Sequence, residues 1–138
     1  MLPNESVEKL VAAARAARER AYAPYSNFPV GAAVLCADGR VFEGCNIENA
    51  SFGLTICAER VALFNAVAAG CREIEALAIV GPGADPLSPC GACRQVMVEL
   101  SPDAEVIMAG DAGVRRRSVR QLMPEAFAAE ELGRTRPG

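Results

Sequence analysis

Histidine is absent from all 138 residues, so any metal held by this chain must be held by sulfur or oxygen. No apolar run approaches the ~18–20 residues of a membrane span, which excludes a transmembrane helix. Positive charge is also in short supply. Fourteen Lys and Arg stand against seventeen Asp and Glu, a net charge of −3. That balance argues against nucleic acid as a partner, because binding a phosphate backbone requires a basic footprint. The opening segment MLPNESVEKL has acids where a signal peptide would carry basic residues and a long apolar stretch. A cytoplasmic location is therefore expected.

What is present suits one soluble domain. Hydrophobic residues make up 51% of the chain and charged residues 22%. A chain of this length buries about two-thirds of its unfolded surface and needs no disulfide to fold. Six cysteines in a reducing compartment are then expected to be thiols, as metal ligands or as small buried residues. The one basic cluster, Arg115-Arg116-Arg117 with Arg120, reads as a solvated loop or a subunit contact.

Residues 6–21 carry Val7, Leu10, Val11, Ala14 and Ala17 at helical spacing, and Pro24 ends that run. Two β-rich segments, Phe28–Ala37 and Arg40–Asn46, flank Asp38-Gly39 and predict a hairpin. A second helix is expected over Cys57–Ala69 with Gly70 as its stop. A buried strand follows at 74–80, then a turn-rich loop, a helix over 91–100 closed by Pro102, and a strand at 104–109. A short helix with a proline stop lies in QLMPEAF. Residues 1–127 thus form one domain, and 128–138 are expected to fray. The alternation predicts a three-layer α/β/α sandwich, with helices on both faces of a mixed sheet of about five strands.

The segment SPCGACRQ sets Cys90 and Cys93 three apart at the start of a helix, a spacing that lets two sulfurs face one metal. Alone it could equally be a redox pair, half of a structural zinc site or two buried thiols. Cys57 is the upstream cysteine at a loop-to-helix junction. With it, the set becomes three thiolates and an open fourth position, the mark of a catalytic rather than a structural zinc. Both helix N-termini carry partial positive charge, which favours the thiolate forms.

Glu59 stands two positions after Cys57, and residues two apart on a regular helix point about 200° away from each other. The two share a cavity only if Cys57 sits at the non-helical lip and Glu59 in the first turn. A carboxylate near the metal but not bound to it is free to take a proton from water and return it to a nitrogen leaving group.

These segments, CAER and PCGACRQ, resemble the zinc-dependent nucleoside deaminases. More of the chain agrees: YAPYSNFPVGAAVL, GCNIENASF, CAERVALFNAV, PCGACRQV and LMPEAF are similar, in the same order, to the small homotetrameric cytidine deaminases. The resemblance implies one Zn²⁺ per subunit on Cys57, Cys90 and Cys93, with Glu59 moving the proton. It implies a small-molecule nucleoside substrate, cytidine or 2′-deoxycytidine, hydrolysed to the uracil nucleoside and ammonia. By the same resemblance Asn46 and Glu48 hold the ribose 3′-hydroxyl, Phe28 packs on the pyrimidine, and the Ala58 N–H meets the base carbonyl. Phe52 and Phe127 match positions whose rings serve a neighbouring subunit's site, and Phe52 stands where a tyrosine is common.

Three thiolates around Zn²⁺ sum to −1, which weakens the Lewis acid unless cations oppose it. Arg60 and Arg94, each directly after a residue of the site, are the expected cations, Arg60 through hydrogen bonds to ligand sulfur. No chemistry is assigned to Cys36, Cys45 or Cys71. A blasticidin S deaminase shares the C-A-E and P-C-G-x-C-R-Q segments, but Asn46-x-Glu48 favours an ordinary nucleoside. A non-catalytic zinc module would need a fourth protein ligand, and none is placed to supply it.

Overall fold

The computed structural model describes residues 1–137 and builds the hairpin at Asp38-Gly39, pairing β1 (Gly31–Cys36) with β2 (Val41–Cys45). Gly39 turns the chain with φ 92°, a conformation open to glycine and costly to other residues. β1 also pairs antiparallel with β3 (Ile74–Val80), and β3 pairs parallel with β4 (Glu105–Gly110). A fifth strand, β5 (Gly113–Ser118), returns antiparallel on β4, so the sheet runs β2-β1-β3-β4-β5. The expected mixed five-stranded sheet is present, with helices on both faces.

One face is covered by α1 (Asn4–Arg18), whose Val7, Leu10, Val11 and Ala14 pack on Ala33, Ala76, Ala78, Val80, Ile107 and Ala109. Small residues on the sheet let the helix lie close, and a Cβ at Gly31 would fall 1.9 Å from the Ala14 carbonyl oxygen. The other face carries α2 (Ala58–Ala68), α3 (Gly91–Leu100) and the single turn α4 (Val119–Leu122). Their core is Ala62, Leu63, Ala66, Cys93, Met97 and Val119, set against Val34, Leu77, Ile79, Val106 and Met108. α3 runs back from the carboxyl end of β3, and α2 runs back from the carboxyl end of β2, which points the same way as β3. Their N-termini therefore meet in the crevice where α/β sheets place ligands.

Four expectations need correction. The basic cluster is not a loop, because Arg115, Arg116 and Arg117 lie within β5, where consecutive arginines conceal the alternation of a strand. β1 begins at Gly31 rather than Phe28: Pro29 has no N–H to offer a ladder, and the Asn46 side chain occupies the Val30 N–H instead. The cysteines are not all thiols, since Cys36 and Cys71 are joined as a disulfide. The β1–β3 pairing brings the end of β1 against Ile74, beside the turn that holds Cys71.

α1 also ends at Arg18, before the expected Ala21, and the chain then turns so that the Tyr22 N–H donates to the Asn46 carbonyl. In the tail, a 3-10 turn spans Ala129–Leu132, and the Arg136 guanidinium donates to the Leu100 carbonyl at 3.0 Å. No helix among the described residues is long and apolar enough to cross a membrane.

Gly44 decides how α2 sits on β2. A Cβ there would lie 2.4 Å from the Ala62 nitrogen and 2.6 Å from the Ala58 carbonyl oxygen, both backbone atoms that cannot rotate away. Gly44→Ala should cost about 2–4 kcal/mol in urea unfolding. A loss under about 0.5 kcal/mol would show that α2 is free to shift.

At the rim of the sheet Arg116 holds Glu105 through two guanidinium nitrogens, and Glu105 also accepts from the Leu2 N–H at 2.9 Å. The Arg116 hydrogen bond, ahead of the Leu2 bond, holds the Glu105 carboxyl below its ordinary 4.5. The stabilisation is complete above that ordinary value and is lost as pH falls through the depressed one. Glu105→Gln should therefore cost about 1 kcal/mol at pH 7, a figure already reduced for solvent screening at this rim. The gap from wild type should close in acid. Paired urea titrations at neutral and acid pH check this, and an equal gap in both would contradict it.

Candidate active site

Cys57 is the N-cap of α2 and Cys90 the N-cap of α3, both with extended backbone, and Cys93 lies in the first turn of α3. The two junctions bring three sulfurs within 4.8 Å of one another, with Cys57 Sγ and Cys90 Sγ 3.8 Å apart. Zn–S bonds of about 2.3 Å in a tetrahedron set the sulfurs about 3.8 Å apart, so the cluster has the size for one ion. The Cys93 N–H donates to Cys90 Sγ at 3.4 Å, and Arg60 Nη2 donates to Cys57 Sγ at 3.5 Å. No His, Asp or Glu joins the three sulfurs in that cluster among the described residues.

Crowded thiols cannot all ionise together without a cation, and their protons divide unevenly. A hydrogen bond from the Cys93 thiol, helped by Arg60 and Cys90, brings Cys57 down to about 5. The same hydrogen bond, with burial, pushes Cys93 up. A dication in the cluster reverses that penalty by attracting all three thiolates.

Glu59 lies in the first turn of α2 and is only 4% exposed. Burial pushes its carboxyl up, and the neighbouring Cys57 charge adds to the rise. The helix N-terminus and Arg60 work against it, but removal from water dominates. A carboxyl raised from its ordinary value is better matched to proton transfer near neutral pH than an exposed one. Ala58, fully buried, is the first residue of α2, where a backbone N–H has no acceptor inside its own helix.

Arg60 makes the sulfur contact expected of it. Arg94 turns away, its Nε donating to the Pro89 carbonyl and its Nη1 to the Leu122 carbonyl, each at 2.9 Å. It thus clamps the loop that delivers Cys90 to the end of α4. Gln95, to which the sequence gave no role, donates to the Phe127 carbonyl at 2.7 Å and anchors that residue.

Asn46 is buried and stitches the neighbouring loop: its Oδ1 accepts from the Val30 N–H at 2.9 Å and its Nδ2 donates to the Phe28 carbonyl at 2.8 Å. Glu48 accepts from the Tyr25 and Ser26 N–H groups and from the Ser26 hydroxyl. The Ser26 hydroxyl bond leads in holding the Glu48 carboxyl below its ordinary value. The chain signals this Ser26 partnership weakly, because the loop and the strand end are more than twenty residues apart. Phe28, at 43% exposure, is not a core residue, and Phe52 and Phe127 are more open still at 75% and 60%. The Phe52 ring meets the Tyr25 ring edge-on, with centroids 6.1 Å apart.

Residues 4–109 match the family described as the cytidine and deoxycytidylate deaminase zinc-binding region. The chain belongs to this deaminase family. A cytidine deaminase from Sporosarcina psychrophila is 48% identical over 130 residues, covering 91% of this chain and 94% of its own length. Another from Halalkalibacterium halodurans is 51% identical over 127 residues, covering 91% and 96%. The crystal structure of cytidine deaminase from Burkholderia pseudomallei superposes with a TM-score of 0.84 at 56% identity, covering 87% of this chain and 98% of that one. The three-sulfur cluster lies inside the matched zinc-binding region and fits its metal.

Metal analysis tests the cluster directly. The purified protein should carry one zinc per chain, and Cys90→Ala should lose at least about tenfold in zinc affinity. Full zinc retention in that variant would move the ion elsewhere.

Proposed function

We propose that this protein is a zinc-dependent cytidine deaminase, converting cytidine and 2′-deoxycytidine with water to uridine and 2′-deoxyuridine and releasing ammonia. The observation that carries the reading is three sulfurs converging at metal-bonding distance from two helix tips, with the buried carboxylate of Glu59 one turn inside the same crevice. Cys57, Cys90 and Cys93 would hold the zinc. Bound there, Zn²⁺ supplies the Lewis acidity that makes water a nucleophile near neutral pH.

Glu59 takes one proton from water and delivers it to ring N3, where it stays, as the oxygen bonds to C4. It then carries that oxygen's remaining proton to the C4 amino nitrogen, so that the C4–N bond breaks and ammonia leaves. Its burial keeps competing solvent from the shuttle and raises its basicity toward that of the groups it serves. The Ala58 N–H, at the positive end of α2, donates to the base carbonyl. Phe28 lays its exposed ring against the pyrimidine, and Asn46 and Glu48 take the 3′-hydroxyl. Arg60 opposes the negative charge of the sulfur set through Cys57, while Arg94 keeps the Cys90 loop in register by gripping Pro89 and Leu122.

Residues 1–127 constitute the catalytic domain in this reading, and the protein works in the cytoplasm as a homotetramer. The exposed rings of Phe52 and Phe127 support the assembly. A monomer would leave these large apolar groups in water, whereas a neighbouring subunit's site offers them cover.

Turnover followed by loss of the cytidine absorbance band tests the assignment. Cytidine and deoxycytidine should be consumed, with CMP resisted because Glu48 repels a sugar phosphate. Glu59→Gln should lower kcat at least about 10²-fold while zinc stays bound. Near-normal turnover in that variant would remove Glu59 from proton transfer.

A further inference from the structure

The loop Tyr25–Phe28 and the strand end Asn46–Glu48 are sewn together by side-chain bonds with a definite allocation of lone pairs. Glu48 Oε1 receives two backbone donors, Tyr25 N–H at 2.9 Å and Ser26 N–H at 3.1 Å. A carboxylate oxygen offers about two acceptor positions, so Oε1 is full. Oε2 receives the Ser26 hydroxyl alone and keeps one position open. The same Ser26 oxygen accepts from the Phe28 N–H at 3.1 Å, which fixes the direction in which its proton points. Asn27 adopts φ 56°, a left-handed backbone that carries the chain round so that the Phe28 N–H reaches back to the Ser26 hydroxyl.

We propose that Ser26 is a positioning residue for sugar recognition: its hydroxyl aims the one remaining acceptor position of Glu48 Oε2 at the substrate's 3′-hydroxyl. This rests on the reading of Glu48 as a sugar contact. The Phe28 N–H lies on an exposed loop, so water replaces Ser26 there if the hydroxyl is removed. Water can also bond Oε2, but it carries no fixed direction, and both backbone donors act on the other oxygen. Loss of the serine hydroxyl therefore leaves the carboxylate charged and anchored at Oε1, with the direction of Oε2 no longer set.

The test compares kcat and KM for cytidine and for 3′-deoxycytidine, which lacks the hydroxyl in question, in wild type, Ser26→Ala, Ser26→Thr and Glu48→Gln. Ser26→Ala should raise KM for cytidine about fivefold to twentyfold, with kcat changed less than about twofold. The penalty should vanish with 3′-deoxycytidine, and Ser26→Thr, which keeps the hydroxyl, should recover most of the wild-type KM. An equal KM rise for both nucleosides would mean general loop damage and would overturn the proposal. So would an unchanged KM for cytidine in Ser26→Ala alongside a raised one in Glu48→Gln. Unchanged KM for cytidine in Glu48→Gln overturns the sugar-contact reading itself, and the positioning role with it.

Discussion

Everything in this crevice answers to one electrostatic requirement: three sulfurs must lie close enough to share an ion, yet close thiolates repel each other. The fold meets it by spending two helix starts on one point. Cys57 and Cys90 occupy extended N-cap positions, and Cys93 is one turn further on. Positive helix ends and the Arg60 guanidinium lean on the same sulfurs. Because α2 follows β2 and α3 follows β3, two strands that point the same way, their starts lie at the same end of the sheet, and the Arg94 clamp holds the Cys90 loop there.

The same requirement fits a Glu59 that is buried and stands outside the sulfur cluster. A carboxylate on the metal would add another negative charge to a set that already outweighs the dication. A carboxylate in water would be too weak a base. Placing it in the first helical turn, behind the Cys57 lip, keeps it near the sulfurs but outside the cluster they form. Gly44 lets this happen, since only a residue without a side chain allows α2 to lie so deep on β2.

Much of this was legible in the sequence because the signals were local. β3 and α3 were read to the residue from IEALAIV and from Cys90 to Pro102, where apolar period and punctuation agree. The three-sulfur cluster, with Glu59 in the first turn beside Cys57, is legible because no histidine competes and only Cys57 stands at a suitable junction upstream. What escaped was non-local or masked. GVRRRS hides a strand behind charge, and its pairing with β4 is sustained by backbone and by the Glu105 bond rather than by apolar alternation. The Cys36–Cys71 bridge depends on which strands become neighbours, which composition does not reveal. The grip of Arg94 on Pro89 and Leu122 needs the placement of α4, whereas its position after Cys93 offers it only as a cation near the site.

β5 closes one border of the sheet, and among the described residues no strand lies beside its outer backbone groups. Such a border invites another copy to add itself in line, and then another, toward a fibre. Here a second β5 laid alongside would bring together the exposed guanidiniums of Arg115 and Arg117, while Arg116 stays paired with Glu105. That repulsion fences the border against in-line stacking of copies.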